Sequence, residues 1–396
     1  MALAFREARE MVLNQVGARR TAPQVETVSL EEACGRILAE HAPADREYPP
    51  FDRSARDGYA VRSADLPGRF RVIGEVRAGE IFESTLREGQ AVEIMTGAPV
   101  PRGADAVVMV EHAIRMELDL MSTDRTLEPG ANIARAGSEA HREESPLQKG
   151  SRIDYAGIGW LATTGHDPVL VYARPKVAII ATGDEIVGVN DKPELQQIRN
   201  SNSYSLSAQV KRAGGIPVIL PVARDNLQNT RELVGRGLEA DLLLISGGVS
   251  AGKYDVVEQA LGELGAEFYF DRVLIQPGQP VVFGRAHDKF FFGLPGNPAS
   301  TMVTFEIFAR SALELIAGLE NPSLPLSLAR LREPFRHKTG LTRFLPANVI
   351  CAEVTPVPWQ GSGDVPAFCR ANGFMVADKD QAEYDAGELI PVMLRQ

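Results

Sequence analysis

Cysteine is scarce in this chain of 396 residues: Cys34, Cys351 and Cys369 are its three, an odd number without CxxC or His spacing. They signal neither a disulfide framework nor a zinc site, and they fit a reducing cytoplasm. No apolar run approaches the roughly 18 to 20 residues of a membrane span. The amino-terminal MALAFREAREMVLNQV mixes charges with its apolar residues, which speaks against a signal peptide and predicts an amphipathic helix. Basic residues are also short, 42 Lys and Arg against 52 Asp and Glu, for a net charge of −10. A nucleic-acid surface would need a basic stripe to neutralise phosphates. An anionic guest here would have to be held by backbone N–H groups, a metal or a few local cations.

Several catalytic signatures are missing too. There is no GxxxxGK[ST] and no GxGxxG after a strand, so neither a P-loop nor a dinucleotide-binding site is supported. None of the six His (His41, His112, His141, His166, His287, His337) sits in HExxH or beside a GxSxG serine, so triad hydrolysis is not indicated.

The length predicts two to four domains at roughly 150 residues each. Residues 1 to about 45 read as helical, with Ser29 and Glu32 in capping-box spacing ahead of a helix that includes Ile37 and Leu38. The Pro-rich, then polar REYPPFDRSARDGYAV marks a boundary and a loop. From about 70 to 135, short apolar runs (FRVIGEV, AVEIMTG, AVVMVEH) broken by Gly and Pro predict a small β-rich unit, and 136–173 reads as a return connection. From 175 onwards strands alternate with helices near 202–213, 227–238 and 255–264, the pattern of βαβ units in a parallel sheet with helices on both faces. After the strand pair PVVFGRA and KFFFGLPGN, Asn297 is placed as N-cap and Pro298 as first residue of a long helix. Short strands from about 323 to the end predict a separate β domain.

Three strands of the 175-onward unit end in similar loops: Thr182-Gly183-Asp184-Glu185, Ser246-Gly247-Gly248-Val249-Ser250, and Gly293 to Pro298. Ligands bind beyond the carboxyl ends of such strands. Glycines let backbone approach a ligand closely, and helix N-termini attract anions. Each loop alone has a structural reading: Asp255 with Glu258 starts a helix, Thr182 to Glu185 is a common strand exit, and Asn297-Pro298 begins a helix. Facing one crevice together they predict an anion site. Carboxylates at Asp184, Glu185, Asp225 and Asp255 would repel a phosphate unless a divalent cation lay between, and Mg²⁺ takes one or two carboxylates plus ligand oxygens and water. A Mg²⁺-assisted phosphoryl or nucleotidyl reaction follows as the expectation.

The segments PPFDRSARDGYAV, EIMTGAPVPRGADAVVMVEH, ATGDE, SGGVSAGKYD and GLPGNPAS, in this order, resemble the molybdopterin molybdenumtransferase family, the MoeA proteins, and are similar to the E domains of gephyrin and plant Cnx proteins. The likeness runs from about residue 5 to the C-terminus. It implies a multidomain α/β plus β fold in an elongated, cytoplasmic homodimer. A discontinuous domain I covers 1–46 and 137–173, a β-rich domain II 47–136, a MogA/MoaB-like α/β molybdopterin-binding domain III 174–322, and a β-barrel domain IV 323–396. The implied reaction takes adenylylated molybdopterin and molybdate, and with Mg²⁺ releases AMP and places molybdenum on the dithiolene sulfurs. A molybdopterin adenylyltransferase is the implied upstream partner, with no nucleic acid and no membrane. The alternative is a carrier or scaffold that binds the pterin without inserting metal.

By the same resemblance, Asp57 and Thr96 match positions that approach the active site from the partner subunit, and Glu185, Asp225 and Asp255 match acidic positions needed for activity. Asp184, Glu185 and Asp255 are implied to organise Mg²⁺ or its waters. Thr182, Gly183 and Asn202 are implied substrate contacts. The Ser246 to Ser250 loop (with Gly247 and Gly248) and the helix start at Gly296, Asn297 and Pro298 are expected to hold the phosphate end of the pterin. Where relatives commonly read KPGKP, this chain has Gln276-Pro277-Gly278-Gln279-Pro280, neutral amides in place of cations. Charge-assisted hydrogen bonds are roughly twice as strong as neutral ones, so oxyanion affinity should fall unless another cation substitutes. Lys253 and Arg343 are candidates, and Arg343, Ser300 and Ser362 match positions linked to oxyanion contact. A second departure, GSEAHREES at 137–145, is expected to alter interdomain contacts.

Overall fold

The computed structural model describes residues 2–117, 119–248 and 256–395. The chain divides into two compact units. One comprises residues 41–149 and 155–167; the other comprises 1–40, 150–154 and 168–396.

The first unit holds a six-stranded sheet in the order Ala106–Met109, Gly58–Val61, Gln90–Ile94, Gly68–Val76, Leu120–Thr123, Ile114–Glu117. Its apolar residues fall on both faces. Tyr59, Val61, Phe70 and Val108 pack on one side, and Ala60, Val76, Val92 and Val107 on the other. This is the β-rich unit that the Gly- and Pro-broken runs predict.

The second unit is built around another six-stranded sheet, with β1 (Lys176–Ala181), β2 (Ile216–Ile219), β3 (Leu242–Ser246), β4 (Glu267–Phe270), β5 (Val282–Ala286) and β6 (Lys289–Leu294) in the order β2-β1-β3-β6-β5-β4. The four strands β2, β1, β3 and β6 are parallel. The sheet as a whole is mixed, because β6 and β5 form a hairpin and β4 adds antiparallel to β5. The parallel sheet of βαβ units expected from the alternation is present in those four strands, and the strand pair after it adds the antiparallel edge. A hairpin turn at His287 and Asp288, both at positive φ, leaves no room for a crossover.

Alternate strand residues feed two cores, as period-2 geometry requires. Val177, Ile179, Leu242, Leu244, Phe290 and Phe292 face α1 (Phe5–Arg19), α2 (Asn202–Arg212) and the helical run from Pro298 to Ile316. Ala178, Ile180, Leu243, Ile245 and Phe291 face α3 (Leu227–Gly237) and α4 (Val256–Glu263). The 298–316 run is interrupted by a π-helical stretch, Phe305–Ala309. The C-terminal strands Thr342–Ile350, Glu353–Pro356, Leu326–Leu331, Leu389–Leu394 and Gly373–Ala377 close on themselves as a five-stranded barrel, to which Ile275–Gln276 adds beside Thr342 and Arg343.

The reading of residues 1–45 as helical does not hold beyond α1. Val25–Val28 is a strand paired with Val169–Tyr172, and Leu30–Ala33 is a single helical turn in which Ser29 makes no side-chain cap. Ile37 and Leu38 form β-bridges to Arg152 and Val171. A distant strand partner outcompetes a capping box whose helix would be too short to stabilise itself.

Candidate functional site

From β1 the chain moves to one neighbour, β2, and then to the other, β3, so the sheet reverses direction between β1 and β3. That crevice is where open α/β sheets bind ligands. The three glycine-bearing exits meet there. Thr182 N–H donates to Ser246 O at 3.0 Å and Gly247 N–H to Leu294 O at 3.0 Å, so each exit is pinned to the next. Together with Glu185, Asp225, Asn202, Gly296, Asn297 and Pro298 they line one cleft of about 500 Å³, within the roughly 300 to 1,000 Å³ of small-molecule sites. Gly248 sits at φ +61°, and a Cβ there would lie 2.8 Å from Thr182 Oγ1 and 2.7 Å from Val257 Cγ2. This floor accepts only bare backbone.

The acidic residues fall into two groups. Asp184 Oδ1 accepts the Asp225 N–H at 3.3 Å and Asp225 Oδ2 accepts the Asp184 N–H at 3.4 Å, a reciprocal clasp between the β1 exit and the loop after β2. Arg224 braces it by donating to Asp184 O at 3.1 Å. Glu185 folds over Gly183, where a Cβ would meet its Oε2 at 2.4 Å. Glu185 and Asp225 line the cleft. Among the described residues no group of three His, Cys, Asp or Glu side chains is arranged to hold a metal ion. Ser250, Lys253 and Asp255 lie outside the described residues.

Several backbone N–H groups expected to meet an anion are already committed. Besides those of Thr182 and Gly247, Gly183 N–H goes to Ala223 O and Ala299 N–H to the carbonyl of Ser362, while Pro298 has none to give. Asn297 occupies the N-cap position without a side-chain capping bond, and Ser300 is 3% exposed. Two side chains also carry unmet valence. Asn202 donates through Nδ2 to Ser246 Oγ at 2.8 Å and to Gly296 O at 2.7 Å. Its Oδ1, and Thr182 Oγ1, are buried without a partner among the described residues.

Of the QPGQP turn, Pro280 lines the cleft. Gly278, at φ +103°, packs against Thr304, where a Cβ would fall 2.4 Å from Cγ2. Gln276 is the register partner of Arg343. Arg343 donates from Nε to His337 Nδ1 at 3.1 Å and to Lys338 O at 3.3 Å, and burial pushes its guanidinium below the usual value. A cation that the motifs do not mark stands on the cleft wall itself: Arg199, exposed, with Nε held by Asp191 O at 3.1 Å. Sequence reasoning misses it because the short parallel pairing of Ile186–Val187 with Ile198–Arg199 that carries it there has no sequence signal.

In the other unit, Asp57 and Thr96 touch each other. Asp57 Oδ1 accepts Thr96 N–H at 2.6 Å and Thr96 Oγ1 at 2.8 Å, bonds that hold the Asp57 carboxyl below its ordinary range. Both stay exposed, and the two side chains recognise each other across 39 residues of sequence.

Three family descriptions match in sequence order: "MoeA N-terminal region (domain I and II)" over residues 3–165, "Probable molybdopterin binding domain" over 178–315, and "MoeA C-terminal region (domain IV)" over 328–394. The chain is 36% identical over 386 residues to a molybdopterin molybdenumtransferase of Bacillus subtilis (strain 168), covering 94% of this chain and 90% of the relative. The chain belongs to the molybdopterin molybdenumtransferase family. A second relative of the same name, from Staphylococcus aureus (strain MRSA252), is 34% identical and covers 100% of this chain and 96% of its own length. Among solved structures, a molybdopterin biosynthesis moeA protein from Pyrococcus horikoshii OT3 superposes with a TM-score of 0.83 at 29% identity, covering 100% of both chains. Membership assigns the chain to molybdenum cofactor biosynthesis. The carrier or scaffold alternative is not favoured, since relatives matched along nearly the whole length bear the name of the enzyme.

Proposed function

We propose that the chain inserts molybdenum from molybdate into adenylylated molybdopterin and releases AMP, at the cleft beyond β1, β3 and β6. The observation that carries this reading is the convergence of three glycine-bearing strand exits on one cleft whose wall also holds Glu185 and Asp225. Releasing AMP breaks a phosphoanhydride, and negative charge grows on the departing phosphate. Preorganised charges aimed at that position lower the barrier. Arg199 is the cation on the described wall that can meet it.

The donor set is compatible with Mg²⁺, which takes one or two carboxylates and fills its remaining positions with ligand oxygens and water. Glu185 and Asp225 would hold it, and when bound it would neutralise charge on the phosphoanhydride. The clasp orients the Asp184 and Asp225 carboxylates before any guest arrives. Gly183, Gly247 and Gly248 let the guest approach the backbone.

In the assembled enzyme we take the four-part division into 1–46 with 137–173, 47–136, 174–322 and 323–396, a cytoplasmic homodimer in which Asp57 and Thr96 serve the partner copy's cleft, and delivery of the nucleotide by a molybdopterin adenylyltransferase. The test supplies adenylylated molybdopterin, molybdate and Mg²⁺ and follows AMP and metallated pterin together. Equal yields that vanish on chelation, and fall in Glu185→Gln, are expected. Tight binding without turnover in the wild type would overturn the reading.

A further inference from the structure

We propose that Asn202 is a specificity-determining residue whose Oδ1 accepts a hydrogen bond from the exocyclic amine of the guest's heterocycle, so that this wall of the cleft reads the pterin ring and not a phosphate. The proposal deepens the function given above and rests on it. The two ends of an Asn side chain have nearly the same shape, so the hydrogen-bonding partners assign the acceptor oxygen and the donor nitrogen.

Here the partners decide. The group 2.7 Å from the Gly296 carbonyl must be a donor, because a carbonyl oxygen can only accept. That fixes Nδ2 against Gly296 O, and its second hydrogen goes to Ser246 Oγ at 2.8 Å. Both amide hydrogens are thereby spent on joining the β3 exit to the β6 exit. Oδ1 is left with two lone pairs, buried and without a partner among the described residues. A buried acceptor with nothing to accept from costs free energy unless a guest or an ordered water supplies the hydrogen.

The surroundings determine which guest group suits it. A phosphate at neutral pH brings oxygens without hydrogens, and these would meet an acceptor with repulsion. The N–H groups of Thr182, Gly183, Gly247 and Ala299 are engaged by Ser246, Ala223, Leu294 and Ser362 and do not offset that repulsion. Thr182 Oγ1, 7% exposed as a residue and also unpartnered, can turn its hydrogen either way and adds no preference for an anion. The exocyclic amine of a 2-amino-4-oxopteridine is a donor and satisfies Oδ1 directly. The phosphate end of the guest is then directed away from Asn202, towards Arg199.

Three probes test this on the full-length chain: a 2-amino-4-oxopteridine, its 2,4-dioxo counterpart in which the exocyclic amine becomes an acceptor, and pyrophosphate. In the wild type the amino compound should bind about ten- to a hundredfold more tightly than the dioxo compound. In Asn202→Ala that ratio should fall towards one, while pyrophosphate binding holds or tightens. Ser246→Ala removes one of the two ties made by Nδ2 and keeps Oδ1, so the ratio should survive there even if both affinities drop. If Asn202→Ala weakens pyrophosphate as much as the amino compound, or leaves the ratio intact, the proposal is wrong while the cleft remains a pterin site. If the wild type binds neither pteridine, the functional reading fails and takes the proposal with it.

Discussion

The sheet of the second unit has a crevice at each end, and the two are nearly equal in size. The carboxyl-end cleft measures about 500 Å³, and the amino-end crevice, lined by Arg20, Arg174, Lys176, Asp241, Asp288 and Lys289 among others, about 560 Å³. Volume does not separate them; the state of their polar groups does. At the amino end Asp241 accepts the Lys176 N–H at 2.8 Å and pairs with Lys289 Nζ at 3.3 Å, Asp288 pairs with Arg285 at 2.6 Å, and Glu26 pairs with Arg36. Among the described residues none of its lining side chains carries a buried, unpartnered polar atom, whereas Thr182 and Asn202 do at the carboxyl end. One end has its lining carboxylates Glu26, Asp241 and Asp288 paired within the fold, although Arg36 Nε and Arg285 Nε behind them lack partners. The other keeps valences open at the point where strand order reverses, and open valence distinguishes a site from a gap.

The sharpest way to break this contrast is to neutralise one carboxylate at each end. Asp225→Asn keeps an acceptor oxygen for the Asp184 N–H but removes the charge from the cleft wall, and should slow AMP release on the order of a hundredfold. A variant of Asp241 should leave turnover untouched. Equal loss at both ends would mean that the carboxyl-end carboxylates act only through stability.

A smaller effect is expected from the cations. Arg199→Gln should raise the half-saturating concentration of adenylylated molybdopterin roughly tenfold by removing a charge-assisted contact. Arg174→Gln, at the amino end, should not move it. If Arg199→Gln is also silent, charge for the phosphate must come from elsewhere, and the neutral Gln276-Pro277-Gly278-Gln279-Pro280 turn becomes a real deficit for this chain.

Much of the fold and of the carboxyl-end cleft is legible in the amino-acid sequence, and the reasons differ by residue. Helices expected near 202–213 and 227–238 occur as Asn202–Arg212 and Leu227–Gly237 because apolar spacing specifies both and Asn226 caps the second. The glycine-bearing exits are legible because close backbone approach needs glycine wherever it occurs. The features that sequence does not reveal depend on partners far along the chain. Val25–Val28 becomes a strand only through Val169–Tyr172, and Glu267–Phe270 joins the sheet only as the outer neighbour of a hairpin. The polarity of Asn202 is set by a carbonyl 94 residues away. The commitment of the Ala299 N–H to Ser362 is equally invisible, and it undercuts the expectation that this helix start offers free donors to a phosphate.

The least expected effect belongs to the closed end, and it makes the comparison quantitative. Asp241 and Lys289 have side chains 42% and 28% exposed, so water screens their pairing, and such pairs contribute at most about 1 kcal/mol. Asp241→Asn should therefore lower the denaturation midpoint slightly, with the loss shrinking as salt is raised because exposed charges are screened within roughly 10 Å at 0.1 M ionic strength. Lys289→Gln alone should cost about the same as Asp241→Asn with Lys289→Gln combined, since either change already ends the pairing. Urea titrations of the three variants at low and high salt read both outcomes. A strongly destabilising, salt-independent Asp241→Asn would show that the bond to the Lys176 N–H, which leads into β1, matters more than the ion pair, and the amino end would then be a structural clamp rather than a merely saturated surface.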